Sequence, residues 1–586
     1  MRESAVDTLG TDVQAVKPMK GGPVPGSERS AEDSSRRLTF SNIRVRPALV
    51  YVAVAVGLVV ATAVLRGGAI SDWGLLNPDE AGFMASARAA RLSPVPWSTW
   101  ETGTTGPYWT LFLAGLGALG APLTLAFAHL LSAVLWALMA FALYVAMSRA
   151  IGRGPALVAT IVCWFPVAMV WLVGLPGNFS ELSTEYLPML LAMASALVPR
   201  DQLAARPWLF SVVGLLAGFA VGAKYQVAPL AVALVAGQLI VLRQSATRTL
   251  VSVLWWLAGA MLPVAGVVLV MFVSPTTNWT LVEQNFTILA SYVLNRSQTQ
   301  IGSLAGGWVE STFASLIGPG HFAPMGPGYF GPGYYLLVLL AGLIWLGRHS
   351  GWRSNLARVV LIASGFMAML AGGMGAAHYL ILLFGAAGLA ATMPVKPGAR
   401  LFPRRLPKTL RTRAALAVVA SIVLVGVSSH VIQRMRLVVP LSPRQAIAAF
   451  SPDSVNRDPA LARACPPGSK AMVWGYAPEL YVAQDWQSTL PYLNVGTLTM
   501  GDNRESGEPV VRAGIDRADC MVDATLMKRR ECPDTRSDLL SWCLSARFSL
   551  SRFYPQLVPL IGRQFHTVPV TGACEGCTLY VRNPSP

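Results

Sequence analysis

Charged side chains are scarce in this chain. Only 13% of its 586 residues are Asp, Glu, Lys or Arg, whereas 53% are hydrophobic and the mean hydropathy is +0.50. This composition excludes an ordinary soluble globular protein and is typical of a membrane protein. Lys and Arg number 46 against 29 Asp and Glu, but they fall between apolar runs on alternate sides, as the positive-inside rule requires. The positive charge therefore indicates membrane orientation, and no nucleic-acid partner is expected.

The first 46 residues have no apolar run. They are rich in Ser, Gly, Pro and mixed charge, which predicts a disordered cytosolic tail, 1–46. The first apolar run begins after this tail and is long enough to span a bilayer, so a cleaved signal peptide is not expected.

Apolar runs between residues 47 and 432 predict about eleven membrane-spanning helices of ~20 residues each. With the N-terminus inside, an odd number of spans places the C-terminus outside. The first outer loop, 67–125, is predicted to hold two interfacial helices, 79–92 and 107–119. A second long outer loop, 274–332, is rich in Gly and Pro. The predicted spans with defined limits are 47–65, 126–148, 155–174, 186–199, 208–223, 225–242, 250–273 and 414–432.

The hydropathy falls after residue 432, and residues 433–586 are predicted to form a soluble extracytoplasmic α/β domain. Residues 471–474 and 520–523 have the composition of strands, whereas 539–550 and 552–560 have that of helices. The fold class is therefore an α-helical polytopic membrane protein with a C-terminal α/β domain.

Cysteines are almost absent from the spans but are frequent in the C-terminal domain. Six of the seven lie in that domain, an even set that suits disulfides in an oxidising compartment. Their spacing does not choose among the possible pairings. Cys574 and Cys577 form a Cys-x-x-Cys pair, for which a redox or metal role is an alternative. The only cysteine in a span is Cys163, and the others are Cys465, Cys520, Cys532, Cys543, Cys574 and Cys577.

The first outer loop carries the most informative motifs. An acidic pair, Asn77-Pro78-Asp79-Glu80-Ala81, follows the first span, and Glu101-Thr102-Gly103-Thr104-Thr105-Gly106-Pro107-Tyr108 enters the next apolar segment. One interpretation of the pair is helix capping, because Asn, Pro and acids suit a helix N-terminus. The other is a general base at the membrane surface, which a sugar transfer to a hydroxyl requires.

These two motifs resemble the first outer loop of the GT-C glycosyltransferases. This group includes the protein O-mannosyltransferases and the aminoarabinose transferases of lipid A, which take a sugar from a polyprenyl-phosphate carrier. The resemblance covers roughly residues 47–432 and implies that Asp79 is the catalytic base, with Glu80 beside it. The chain departs from the commoner pattern because Thr105-Gly106 replaces a Lys or His before Pro107. A phosphate contact at that point is therefore not expected.

The second outer loop offers two further acids. Glu181 and Glu185 are four residues apart and share a face if this segment is helical. They form either a solvated loop face or, as the resemblance implies, the acceptor side of the site. Glu101 is a candidate third member. Together these oxygens would suit a divalent cation, although no spacing demands one.

Lys224 and His378 are the remaining candidates for substrate binding. Lys224 interrupts a long apolar region at its predicted outer boundary. It either snorkels to lipid headgroups or, as a short motif in bacterial relatives implies, contacts the carrier phosphate. His378 lies near the outer end of a predicted span and has either a structural or a binding role.

The sequence thus predicts a GT-C-type glycosyltransferase of a bacterial cytoplasmic membrane. It would use a polyprenyl-phosphate-linked sugar and an envelope glycan, lipid or protein acceptor on the outer side. One alternative is a lipid-carrier or glycan flippase, although transporters usually place charges near the bilayer midplane. Another is an envelope glycan polymerase or ligase, for which outer-loop Arg and His would be expected.

Overall fold

The computed structural model describes the chain in segments. Residues 51–586 belong to one compact unit, and the other unit, Met1–Val50, is described only where the first helix begins. The described residues are 47–71, 78–102, 105–170, 182–287, 332–371, 379–396, 444, 448, 457–475, 477–491, 504–525, 549–570, 574 and 576–584.

Helices dominate the described part of the chain up to residue 396. Two single-turn 3-10 helices, Pro207–Leu209 and Tyr225–Val227, precede α8 and α9. The α-helices are α1 (Pro47–Ser71), α2 (Pro78–Leu92), α3 (Pro107–Ala118), α4 (Leu125–Ile151), α5 (Arg153–Val170), α6 (Tyr186–Ser195), α7 (Arg200–Ala205), α8 (Phe210–Ala223), α9 (Ala228–Leu242), α10 (Ala246–Val273), α11 (Pro332–Arg348), α12 (Trp352–Ala371) and α13 (Leu380–Ala391).

The predicted spans of the described part correspond to helices of this bundle. Leu125–Ile151, Tyr225–Leu242 and Ala246–Val273 are long and apolar enough to cross a bilayer. The span predicted at 186–199 is shorter than expected. Helix α6 ends at Ser195, and α7 begins after Pro199, whose ring disfavours helical backbone at the residue before it. The predicted span 414–432 lies outside the described residues, so the number of spans stays a prediction.

Both helices predicted for the first outer loop are present. Helix α2 begins at Pro78 and α3 at Pro107, each with proline in the first helical position. Helix α2 is not simply interfacial, because Ala81, Met84 and Ala87 are fully buried. Helix α3 has 12 residues, which is too short to cross a bilayer.

Helices α8 and α10 approach each other through glycines. A Cβ atom added at Gly214 would lie 2.0 Å from the carbonyl oxygen of Trp256, and one at Gly259 would lie 2.0 Å from that of Ser211. Small residues at such crossings let helix backbones pack closely where lipid supplies no hydrophobic driving force. This contact fixes α8, whose C-terminal end carries Lys224.

Helix α13 lies in the middle of the bundle. All twelve of its residues, from Leu380 to Ala391, are buried, as expected of a helix that is apolar on every side. The residue before it, Tyr379, is also buried. The helix therefore supplies a fixed support beneath the end of the bundle where Lys224 lies.

The C-terminal domain has the predicted α/β character in its described residues. A five-stranded sheet has the order β2-β1-β3-β5-β4. Strand β1 pairs in parallel with β2 and β3, whereas β5 pairs antiparallel with β3 and β4. The elements are α14 (Pro459–Ala464), β1 (Lys470–Trp474), α15 (Glu479–Gln484), β2 (Gln487–Ser488), α16 (Arg504–Arg517), β3 (Cys520–Asp523), α17 (Leu550–Phe553), α18 (Val558–Gln564), β4 (Phe565–Val568) and β5 (Thr578–Arg582).

Two disulfides lie among the described residues of this domain. Cys465 bonds to Cys520 and Cys574 bonds to Cys577. The expectation of disulfides is therefore confirmed. The alternative of a metal pair at Cys574 and Cys577 is not supported, because the two sulfur atoms bond to each other. Cys532 and Cys543 lie outside the described residues.

The C-terminal domain packs against the first outer loop. A Cβ atom at Gly82 in α2 would lie 3.9 Å from the ring of Pro478. Arg88 of the same helix donates to Asp485 Oδ1 at 3.0 Å. Burial lowers the pKa of the Arg88 guanidinium below its ordinary value, although Asp485 opposes this. The domain is thus built onto the helix that begins with the predicted catalytic pair.

Candidate functional site

Glu80 lies in the first turn of α2 and is buried, with 1% of its surface exposed. Its Oε2 atom is 2.9 Å from His129 Nε2 on α4, and its Oε1 atom accepts a hydrogen bond of 2.9 Å from the backbone N–H of Leu182. The two side chains are hydrogen-bonded, and the tautomer of His129 that carries its proton on Nε2 is the one that can donate to a carboxylate oxygen. Glu80 thus joins three segments of the chain and does not face solvent.

Glu185 forms a second buried pair, with Lys224. The distance between Glu185 Oε1 and Lys224 Nζ is 2.5 Å, and the two side chains are 0% and 4% exposed. Lys224 also donates to the hydroxyl of Thr184, and Ser183 donates to Glu185 Oε2. Nζ lies 5.2 Å from the centre of the Tyr379 ring. Low surrounding polarity strengthens this attraction but makes an unpaired charge costly.

Residues 182–185 connect the two pairs. Leu182 donates to Glu80, and Glu185, three residues later, meets Lys224. Glu181 and Glu185 were expected to share a face only if this segment is helical. Residues 182–185 form an irregular segment and a turn, and α6 begins only at Tyr186. The structure therefore brings Glu185 to Lys224, while Glu181 lies outside the described residues.

Lys224 sits at a break between two helices. Helix α8 ends at Ala223, Lys224 has extended backbone (φ −151°, ψ 111°), and a 3-10 turn leads into α9. The predicted interruption is therefore present. Lys224 does not snorkel, since only 3% of its surface is exposed. Its neighbours in this structure are an acid, a hydroxyl and an aromatic ring.

The motif before α3 packs against the same break. The backbone N–H of Gly106 donates to the carbonyl oxygen of Ala223 at 3.0 Å. A Cβ atom at Gly106 would lie 1.9 Å from the carbonyl oxygen of Gly222, so this position requires glycine. Tyr108 packs edge-on against Phe219 at 4.8 Å between ring centres. This motif holds the start of α3 beside Lys224.

Glu101 lies where the loop meets the C-terminal domain. It is 7% exposed, and its backbone N–H donates to the carbonyl oxygen of Pro491 at 3.2 Å. The side chains of three other predicted site residues are not among those that the structure describes. The backbone of Asp79 lies in α2 directly before Glu80, but its side chain, like Glu181 and His378, falls outside the described part. Among the described residues, no three His, Cys, Asp or Glu side chains form a group that could hold a metal ion.

Two members of the site were not predicted from the sequence. His129 and Tyr379 contact Glu80 and Lys224 respectively. The available signal for His129 was a lone histidine in an apolar span, since ionisable residues in spans are costly and often functional. Tyr379 directly follows the predicted residue His378, but nothing in the sequence indicates that its ring supports Lys224.

No protein-family model matches this chain, and no curated protein matches it. The structure of ArnT from Cupriavidus metallidurans bound to undecaprenyl phosphate is similar over 92% of this chain and 99% of that chain. The TM-score is 0.52 and the sequence identity is 14%. ArnT is an aminoarabinose transferase of the GT-C superfamily. This chain has a GT-C fold.

The GT-C fold agrees with the resemblance seen in the first outer loop. At 14% identity the likeness establishes the fold and assigns no residue a role. The structure of the Archaeoglobus fulgidus oligosaccharyltransferase, tethered with an acceptor peptide containing the NVT sequon, is also similar. The similarity covers 82% of this chain and 70% of that chain, with a TM-score of 0.41 and 10% sequence identity. This likeness is too distant to support an argument.

Proposed function

We propose that this protein is a membrane glycosyltransferase that transfers a sugar from a polyprenyl-phosphate carrier to an envelope glycan, lipid or protein. One observation carries the proposal. In a GT-C fold, two of the acids expected from the sequence, Glu80 and Glu185, are buried at residues 182–185, where Glu80 accepts the Leu182 N–H and Glu185 pairs with Lys224. A network of this kind can hold charged groups in one geometry beside a reacting phosphate.

The reaction is a direct displacement at the anomeric carbon. The acceptor hydroxyl attacks this carbon and passes its proton to Asp79, the proposed base. The bond between the anomeric carbon and the phosphate oxygen breaks, and its electron pair stays with the carrier phosphate. Attack from the opposite face inverts the anomeric centre. Glu80 fixes the helix that bears Asp79 and has no proton-transfer role, because it is buried between His129 and Leu182.

Lys224 is proposed to stabilise the phosphate as negative charge develops on it. In the structure its charge is already compensated by Glu185. Phosphate binding therefore requires Lys224 to share or exchange this partner. Glu185, together with Glu101 and Glu181, is assigned to the acceptor side, and His378 is a further candidate for substrate binding. The site would face the outer leaflet of a bacterial cytoplasmic membrane.

Substitution of Asp79 tests this mechanism. Asp79→Asn keeps the size of the side chain and much of its capping ability, which is worth about 1 kcal/mol. If Asp79 is the base, turnover should fall by roughly 10²–10⁴-fold without loss of folding. The measurement is sugar transfer from a polyprenyl-phosphate donor by purified protein in nanodiscs, with Glu80→Gln expected to be milder. Near-normal turnover of folded Asp79→Asn protein would remove Asp79 from the reaction.

A lipid-carrier flippase is a second candidate, favoured by one observation. Lys224 lies in a break between two apolar helices, as charged residues of transporters often do. Vesicles containing the protein would distinguish the two functions. Movement of a lipid-linked sugar between leaflets, without transfer to any acceptor, would favour the flippase.

A further inference from the structure

The contact between Glu80 and His129 joins three parts of the site. His129 lies in the second turn of α4, a helix of 27 residues, and its side chain is 5% exposed. Glu80 belongs to the first turn of α2 and has no exposed side-chain surface. The same carboxylate accepts the N–H of Leu182. One side chain of the long helix α4 therefore contacts the carboxylate at which two outer segments meet.

A buried histidine in a span can be no more than a satisfied core residue. Two features indicate a larger role for His129. Both segments that meet at Glu80 carry residues of the proposed mechanism, since Asp79 directly precedes Glu80 and Glu185 follows Leu182 by three residues. The imidazole also supplies one of the two donors that hold the Glu80 carboxylate in place.

We propose that His129 is a positioning residue: through Glu80, it fixes the first turn of α2 relative to residues 182–185. This arrangement holds Asp79 and the Glu185–Lys224 pair in one geometry. The inference rests on the proposed function for the role of Asp79, but the mechanical link from His129 to Leu182 does not depend on it. Loss of the imidazole N–H leaves a buried carboxylate with one donor fewer. Such a carboxylate must take up a proton or move toward water, and either change weakens its bond to Leu182.

Three variants separate positioning from packing. His129→Leu removes the donor, whereas His129→Gln can place an amide N–H near the position of imidazole Nε2. Leu135→Met, on the same helix and 2% exposed, is the control for a packing change in α4. If the leucine variant does not fold, His129→Asn replaces it, because its shorter amide does not reach Glu80.

Amide hydrogen exchange measures the link from His129 through Glu80 to Leu182 directly, and it needs no enzymatic activity. His129→Leu should accelerate exchange of the Leu182 amide and of the first amides of α2 by roughly 10- to 100-fold, with α13 unchanged, because a buried bond to a charged group is lost. His129→Gln should restore most of the protection. Uniform acceleration along the chain, or equal protection of Leu182 in all variants, would overturn the proposal.

Sugar transfer supplies the second measurement. His129→Leu should lower kcat by roughly 10- to 100-fold, since misplacement of a reacting group by about 1 Å has an effect of this size. The KM for the carrier should change little, and the glutamine variant should recover most of kcat. Unchanged kcat in the leucine variant would overturn the catalytic half of the proposal. If wild-type protein transfers no sugar, the proposed function fails, while the exchange experiment still decides whether His129 holds the link.

Discussion

Breaking the buried pair of Lys224 and Glu185 should destabilise the protein far more than breaking an exposed pair. The two side chains are 4% and 0% exposed, and Nζ lies 2.5 Å from Oε1. Removing one member of such a pair leaves the other charge buried, which typically costs about 3–5 kcal/mol. We therefore expect Lys224→Met to lower the free energy of unfolding by an amount in this range.

The double variant Lys224→Met/Glu185→Gln should recover most of this loss. Replacing both partners by neutral groups removes both buried charges, and such replacements are often neutral or stabilising. Glu185→Gln alone should be milder than Lys224→Met alone. Lys224 would still donate to Thr184 and lie over the Tyr379 ring.

The chain contains a matched exposed pair for comparison. Arg512 and Glu508 are 2.9 Å apart on helix α16, with side chains 47% and 27% exposed. Arg512→Met should lower the free energy of unfolding by less than about 1 kcal/mol. Unfolding midpoints of all variants can be compared in mixed SDS and detergent micelles. The reasoning fails if Lys224→Met is no more destabilising than Arg512→Met, or if the double variant is as unstable as the worse single variant.

The two single variants, the double variant and the Arg512→Met control also test the role of Lys224 in donor binding. If Lys224 contacts the carrier phosphate, the double variant should be stable yet weak in donor use. The double variant would then have near-normal stability but impaired donor use, a combination that is not expected of a purely structural pair. A stable double variant with normal donor dependence would leave Lys224 as a structural residue.

Three further predictions concern packing. Gly106→Ala should separate α3 from α8, because its Cβ would lie 1.9 Å from the Gly222 carbonyl oxygen. The free energy of unfolding should fall by about 1–3 kcal/mol or more, seen as a lower unfolding midpoint. An unchanged midpoint would contradict this contact. Replacing Cys465 and Cys520 by Ala should cost roughly 2–5 kcal/mol, measured on the same scale, and an equally stable variant would argue against the bond between them. Arg88→Gln should change stability by less than about 1 kcal/mol, because its partner Asp485 is 54% exposed; a larger loss would mean that this contact holds the C-terminal domain in place.

Local signals in the sequence were sufficient for much of the fold. The helices predicted at 79–92 and 107–119 correspond to α2 and α3, which begin at Pro78 and Pro107 with proline in the first helical position. The strands at 471–474 and 520–523 were predicted from short apolar runs and form the parallel pair β1 and β3. Such features depend on residues within one or two turns, so a single sequence contains the information.

Contacts between distant residues were not predictable in the same way. In the sequence Lys224 is an isolated cation, because its partner Glu185 lies 39 positions earlier and belongs to another loop. Glu80 and His129 are 49 positions apart. Whether such groups meet depends on how α2, α4 and α8 pack, and the hydrophobic pattern alone does not determine that packing.

The break between α8 and α9 shows how the local and distant features depend on each other. A helix interrupted inside an apolar bundle leaves backbone groups that lipid cannot satisfy. Here the Ala223 carbonyl oxygen, at the end of α8, accepts the Gly106 N–H, and the Lys224 carbonyl oxygen accepts the Val227 N–H. The glycine before α3 therefore satisfies a backbone oxygen at the break beside Lys224. The same break turns the lysine toward Glu185, so the first outer loop helps to form the site through its backbone as well as through its acids.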